Sequence, residues 1–394
     1  MSDANRLKVA IGKESSWGTI FSGALKDLPY SSESLARNAA YATSRLIRAD
    51  RQVVDSILTD VSAQGDLNYE LLYKGTASPA IVAYDELIEA ALFSAAWTSP
   101  VTNTGTYASD SGTSKITGTG CGAGIAVGDW IRWDSAVANA TPTYHVVTVH
   151  TSDDDITVLP APTTRASTAA SEVEAGAYVK NGITVTSFTV EKEYGGVAAT
   201  FAHFVGMMVD RWSMMIGTGG PISGAFGFFG KNEAHAAATI NVGTELTPST
   251  NRVFSAVSHV YALMTGTSLA SLQISEWGFD LRNNLRPLTA VANLGAIAIG
   301  TGSVDVTGRL VRYFDSMSEM TQFLADTETQ HAAVLVDAAG NAFAAHLPGV
   351  VYTGGRRVGG GINTDIRAEM TWQARASTRY ATTAETMRFT RWDV

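Results

Sequence analysis

The chain has 394 residues, of which 45% are apolar and only 16% charged, below the roughly 25% charge of an average soluble domain. This excludes charge-driven disorder and leaves a surface of Thr, Ser, Gly and Ala, or one covered by other subunits. The 28 Lys and Arg against 37 Asp and Glu give a net charge of −9. Apart from Arg356-Arg357 no basic cluster stands out, so no footprint for gripping phosphates is visible. Cys121 is the sole cysteine, which excludes an intrachain disulfide and a cysteine zinc site. No apolar segment follows Met1, and the most apolar stretch, Thr289–Ile299, is too short and too rich in Ala and Gly to cross a membrane. The expected address is the cytoplasm in which the chain is made.

In chain order, the first clear element is a strand over Gly65–Tyr73, where Leu67, Tyr69, Leu71 and Tyr73 alternate with Asp66, Asn68, Glu70 and Leu72. A helix follows, with Ile81, Tyr84, Leu87, Ile88, Ala91 and Leu92 on one stripe, Ser78 as N-cap and Pro79 in its first turn. Roughly ninety residues then intervene before the strand at Ile183–Glu193. Within them Pro100–Tyr107 and Thr163–Ser171 read as Thr/Ser/Ala-rich linkers. Between these, Gly128–Trp133, Tyr144–Val149 and Ile156–Leu159 read as short strands of an inserted β-barrel or sandwich. Strand residues Phe204–Val209, a Gly-rich stretch and Phe226–Phe229 complete this half.

The same order recurs. Gly302–Leu310 is a strand before a second helix, whose stripe is Phe314, Met317, Met320, Phe323 and Leu324, with Ser316 and Glu319 in a capping-box pattern. A hairpin over Leu335–Phe343, the strand Leu347–Tyr352, the glycines 354–361 and Glu369–Trp372 follow. Aligning Gly65 with Gly302 and Gly206 with Gly349 gives two copies of one module. The plan is a discontinuous first module (1–100 and 179–240), an inserted β-domain (101–178) and a second module (241–394).

The search for chemistry is negative. Gly118–Gly124 lacks the strand and helix of a dinucleotide loop. Gly220-Pro221-Ile222-Ser223-Gly224 fails the nucleophile-elbow spacing. Asp153-Asp154-Asp155 lacks the Gly and distal Glu of a calcium loop. His145 and His150 sit on opposite sides of a strand, Cys121 has no neighbouring His, and no carboxylate pair is brought together. No catalytic, cofactor or metal residue is assigned, and the chain is expected not to be an enzyme.

Strand, short loop, amphipathic helix, strands, long Gly-rich hairpin and final strand, twice over, resemble the module of bacteriophage tail tube (major tail) proteins of the siphophage type. The second copy is the cleaner match, over Leu272–Ser377; the first covers Leu46–Trp97 and Ile183–Gly230. The insertion, with Gly-Asp-Trp-Ile and Asp-Asp-Asp-Ile-Thr-Val-Leu, is similar to small β-domains that decorate such tubes. The resemblance implies a mainly β fold of two tandem sandwich modules, each flanked by one α-helix, whose inner strands join around a lumen. It implies a structural virion protein that polymerises as stacked rings and conducts the genome during ejection. Two modules per chain imply a trimer with pseudo-sixfold symmetry. Expected partners are further copies of the chain, a tape-measure and other tail proteins, and phage DNA passing without specific binding. The Gly-rich hairpins are expected to touch the neighbouring ring through Trp212, Gly219, Gly220, Pro221, Arg356, Arg357 and Gly360. Another virion ring or decoration protein, a β-rich adhesin and a tail-borne glycan depolymerase share parts of this profile. An adhesin would carry a secretion signal, and a depolymerase would need a close carboxylate pair.

Overall fold

A computed structural model describes residues 4–47, 49–50, 52–53, 55–73, 84–136, 141–197, 200–266, 268–269, 273–359, 361–380 and 384–393. The first part runs β1 (Leu7–Lys13), β2 (Lys26–Asp27), β3 (Ser32–Glu33), β4 (Ala36–Thr43), β5 (Ser56–Glu70) and α1 (Asp85–Ala91). Six strands follow: β6 (Val101–Asp110), β7 (Lys115–Thr117), β8 (Trp130–Asp134), β9 (Thr143–Ser152), β10 (Asp155–Leu159) and β11 (Arg165–Ala175). Next come β12 (Ala177–Lys180), β13 (Phe188–Tyr194), β14 (Phe201–Gly217), β15 (Ser223–Gly230) and β16 (Asn232–Ala236). The last part holds β17 (Val260–Thr265), β18 (Ser268–Leu269), β19 (Ile274–Arg282), the hairpin β20 (Arg286–Thr289) and β21 (Ala296–Gly300), and β22 (Asp305–Tyr313). It ends with α2 (Ser318–Leu324), β23 (Thr329–Val336), β24 (Ala342–Val358), β25 (Arg367–Ala374) and β26 (Arg388–Trp392).

The architecture is mainly β, and its pairing is duplicated. In one half β4, β5, β15, β14, β13 and β1 lie side by side; in the other β19, β22, β25, β24, β23 and β17 do. β14 and β24 each carry a register shift at the same place, between Val209 and Arg211 and between Tyr352 and Gly354. Such a bulge bends its strand. Each long strand therefore serves two sheets. Its first part pairs in an outer sheet with β13 or β23, its second in an inner sheet with β15 or β25.

The register fixes equivalent residues. Val209 faces Phe228, which faces Gly65; Tyr352 faces Trp372, which faces Gly308. Gly206 and Gly349 thus correspond, as aligned in the sequence. The counterpart of Gly65 is Gly308 rather than Gly302, because cross-strand packing sets the register. A Cβ on Gly308 would lie 2.1 Å from the Trp372 ring, and one on Gly65 2.5 Å from the Ser34 carbonyl.

Between the sheets runs one core shared by both halves, with Trp212, Phe226, Trp277, Phe279, Phe343, Trp372 and Phe389 in contact. α1 contributes Leu87, Ile88, Ala90 and Ala91 to it. Ser78, Pro79 and Ile81 lie outside the described residues. The capping box of α2 does not form. Its N-cap is Met317, without a side-chain bond, and Glu319 turns instead to the buried guanidinium of Arg312, which needs a charged partner more than the backbone needs a cap.

Strands β6 to β11 close into a barrel in the order β10-β7-β6-β11-β8-β9. The two stretches read as linkers are strands of it. β6 and β11 pair with each other, burying Tyr107, Val173 and Ala175 while their Thr and Ser residues largely face outward. The barrel is docked, not tethered. Trp130, Tyr144 and Val146 pack on Ala262, Met264, Ala332, Val334, Ala342, Ala344 and Trp392 of the outer sheet. Buried Arg388 clamps the junction, donating to Asp129 at 2.7 Å, the Gly128 carbonyl at 2.9 Å and Glu385 at 2.8 Å.

Candidate assembly site

The two inner sheets are one. β14 pairs with β19 through seven consecutive residues, from Arg211 opposite Arg282 to Gly217 opposite Glu276. The result is the strand order β4-β5-β15-β14-β19-β22-β25-β24. One face is the aromatic core. The other is polar and open, with Asn38, Asp66, Arg211, Ser213, Asp280, Thr307, Arg309, Glu369 and Thr371 on it.

Both ends of this strand order are open edges. Every residue of β4 is exposed. Among the described residues, nothing pairs with the outer side of β24 beyond Val350. A long free edge invites pairing with another chain. In the single chain the outward N–H of Arg37 donates to the Glu233 carboxylate at 3.1 Å, which occupies the edge without building a strand on it.

The other two rims differ in chemistry. At one, the β4–β5 and β20–β21 hairpin tips expose Leu46, Ile47, Val53, Val291 and Leu294, with Ile47 fully in solvent. At the opposite rim lie the β14–β15 and β24–β25 turns. There a cavity of about 240 Å³ is lined by Ile216, Val257, Val260, Leu263 and Ile274 together with Thr218, Tyr261, Ser275 and Glu276.

The residues expected to touch a neighbouring ring fall into different environments. Gly219, Gly220 and Pro221 form the β14–β15 turn, and a side chain at either glycine would meet nothing within 4 Å. Trp212 is in the core, its Nε1–H donating to the Tyr69 hydroxyl at 2.9 Å, so its indole is not available to a neighbour. Arg356 lies on the polar face beside Glu369. Arg357 projects to the other side, over the Phe314 ring at 5.6 Å. Gly360 lies outside the described residues. Sequence reasoning missed the β4 edge and both apolar hairpin tips. The available signal was an isolated Leu46-Ile47 and Val53 among polar residues with no strand face to bury them.

Among the described residues no group of three or more His, Cys, Asp and Glu is placed to hold a metal ion, and no helix is long and apolar enough to cross a membrane. Duplicated sandwiches, one shared inner sheet and two unpaired edges define a β-structural building block. The family model described as phage tail tube protein matches residues 4–374, and the chain belongs to that family. It is a structural protein of the phage tail. No curated protein matches the chain.

Proposed function

We propose that three chains close into a ring, that rings stack head to tail into the tail tube, and that phage DNA passes through its lumen. The β14–β19 joint carries this reading. It is an inner-sheet junction between two modules, and the same chain ends in the two edges that would repeat it. By equivalence β24 pairs with β4 of the next copy, setting Gly354 opposite Asn38, Gly355 opposite Arg37 and Arg356 opposite Ala36. Each chain gives four plus four inner strands. At about 4.8 Å per strand, three chains make a circumference of about 115 Å and a diameter of about 37 Å before tilt. Six chains would double it, far beyond what one duplex requires. The tape-measure and other tail proteins are the further partners, and assembly takes place in the host cytoplasm.

Stacking sets the apolar hairpin tips of one ring against the opposite rim of the next, where Gly219, Gly220 and Pro221 lie beside a cavity of mixed polar and apolar lining. Burial of exposed Ile, Leu and Val is the driving term.

The ring is tested by cross-linking. Asn283 N–H donates to the Asp210 carbonyl, so the alternate pair Ser213–Asp280 is non-hydrogen-bonded, the closely spaced kind. Its equivalent across the ring is Arg356–Ala36. Oxidised Ala36→Cys/Arg356→Cys protein should give a ladder ending at the trimer on a non-reducing gel. A ladder ending at six, or equal cross-linking of Ala36→Cys/Gly355→Cys, rejects the ring. Buried Cys121 stays out of the reaction. In the same protein, Ile47→Asp with Val291→Asp should leave rings and remove tubes in negative-stain images.

A further inference from the structure

The open edge beside β4 is held by charged side chains of its own module. Ser34 N–H pairs inward with Asp66, so Leu35 and Arg37 turn their backbone groups outward. Leu35 N–H donates to the Glu33 carboxylate at 2.9 Å, and its carbonyl accepts from Lys192 Nζ at 2.7 Å. Lys192 is buried and ion-paired with Glu33 at 2.5 Å, so this cap is fixed and a strand added to the edge ends at Ala36. The cap on Arg37 is different. Its N–H donates to Glu233 on exposed backbone at 3.1 Å, and the other oxygen of Glu233 lies 3.2 Å from the exposed imidazole of His235.

The second module lacks this carboxylate. Ala234 stands opposite His203 as Arg388 stands opposite His346, which puts buried Met387 where Glu233 would be. There the edge is closed, with Leu281 paired to Trp212. The carboxylate thus belongs to the module whose edge is open.

The opposite end of the inner sheet carries a matching cation. Arg356 already holds Glu369. Arg357 instead lies over the Phe314 ring, with Nη1 3.6 Å from Met317 Sδ, and among the described residues no carboxylate lies within 4 Å of it. With Arg356 opposite Ala36, Arg357 is the neighbour's first residue beyond the paired stretch, opposite Leu35. Leu35 points into the core, the side from which β16 and Glu233 approach, and Arg357 projects to that same side.

We infer that Glu233 latches the β4 edge of the free chain and that Arg357 of a second copy opens it, drawing the carboxylate off the Arg37 N–H so that the Gly355 carbonyl takes its place. A strand without a cation at this position would strip the carboxylate of its donor and leave it unpaired. The latch therefore also selects against unrelated strands at an exposed edge. The inference rests on the ring reading and adds the group that opens the edge.

The test is charge reversal in the full-length Ala36→Cys/Arg356→Cys protein, read as the initial rate of disulfide-linked trimer formation. Arg357→Glu alone and Glu233→Arg alone each set like charges together and should slow it at least about tenfold. Glu233→Arg/Arg357→Glu should restore the rate to within about threefold of the starting protein, or above it. The two residues stand at opposite ends of one chain's inner sheet, so such rescue acts between chains. Arg357→Gln removes the charge without repulsion and should slow the reaction about threefold, which covers a reversal that fails to fold by circular dichroism. In dilute chain without the cysteines, Glu233→Ala should speed hydrogen exchange of the Arg37 amide about fivefold, and Arg357→Glu should leave it unchanged. Folded single variants that cross-link at the starting rate, a double variant no faster than the singles, or an Arg37 amide indifferent to Glu233 overturns the inference and leaves the ring standing. A starting protein that forms no trimer overturns the ring reading, and this inference with it.

Discussion

β19 and β4 hold the same place in the two halves, yet only one of them is covered. Leu281 of β19 is fully buried, with β14 on one side and β22 on the other. Its equivalent in β4 is Arg37, exposed, paired only with Ala63 of β5 and donating its free N–H to Glu233. The helices differ likewise. α1 is buried along six of its seven residues, whereas α2 buries only Glu319 and leaves Leu324 75% exposed. The pattern is one-sided. What the second module and the C-terminal strand cover on the first module, none of the described residues covers on the second. A duplicated building block with one joint made and one left open looks like this.

The strongest break in that comparison is proline at the equivalent positions. Leu281→Pro removes a ladder bond to β14 and a buried side chain, and should cost more than about 3 kcal/mol. Arg37→Pro removes no bond to β5, since Ser34 N–H pairs with Asp66 and the alternation turns the Arg37 N–H outward. Its urea midpoint should match the wild type while ring closure is lost. Equal destabilisation by both would mean that β4 is not an open edge. In the proposed ring the Glu233 carboxylate is exchanged for a backbone carbonyl of the neighbouring β24.

The next effect concerns the barrel, which the second module alone carries on its outer sheet. Arg388 is buried between Asp129 and Glu385, with its guanidinium over the Tyr178 ring at 4.1 Å. Arg388→Met leaves the buried Asp129 carboxylate without its cation, while Glu385 keeps Lys180 at 2.7 Å, a loss of about 3 kcal/mol. It should free the barrel first, seen as proteolysis near residues 175–177 while the tube modules stay protected. A single cooperative loss of both would make the barrel part of the tube fold.

How much of this was legible depended on where each side chain finds its partner. Gly206 and Gly349 were legible because each stands within a long apolar strand. The stripe of α1 was legible because its periodicity is local, whereas that of α2 foretold the helix but not its packing, since α2 buries only Glu319 and leaves Met317 and Leu324 exposed. Gly308 was not, because what demands a glycine there is Trp372, some sixty residues away in the chain. Strands β6 and β11 passed for linkers because one face is Thr and Ser in water. β4 gave no alternation because every one of its residues is exposed in the single chain, and Trp212 was misplaced for the opposite reason, a core residue standing near a Gly-rich turn. Residues whose environment comes from another chain, or from a distant strand, carry the weakest signal.

The smallest effect sharpens the comparison at a single histidine. His203 and His346 are equivalent, three residues before the corresponding Gly206 and Gly349. His203 lies 2.9 Å from Glu191. The position of Glu191 in the second module is Ala332, whose small side chain makes room for Trp130 of the barrel. His346 therefore meets Gln330 at 3.2 Å and the Trp130 ring edge-on at 5.5 Å, and burial lowers its pKa to about 3. In the unfolded chain it titrates near 6.5. As pH falls below that value the unfolded state takes up a proton that the folded state refuses. The contribution of His346, complete above pH 6.5, is thus lost towards pH 3 by about 1.4 kcal/mol per pH unit. His331, held at about 3 by burial, acts in the same sense. Glu174 and Asp27, both pushed up to about 7 chiefly by burial, act in the opposite sense, their cost growing as pH rises towards 7. Bulk stability sums these, so the histidine itself is the readout. In wild-type protein the His346 ring should remain neutral by NMR down to pH 4. Trp130→Ala admits water to the junction and should bring its titration above pH 5. A ring that stays neutral at pH 4 in the variant would show that the outer sheet, and not the docked barrel, keeps it dry.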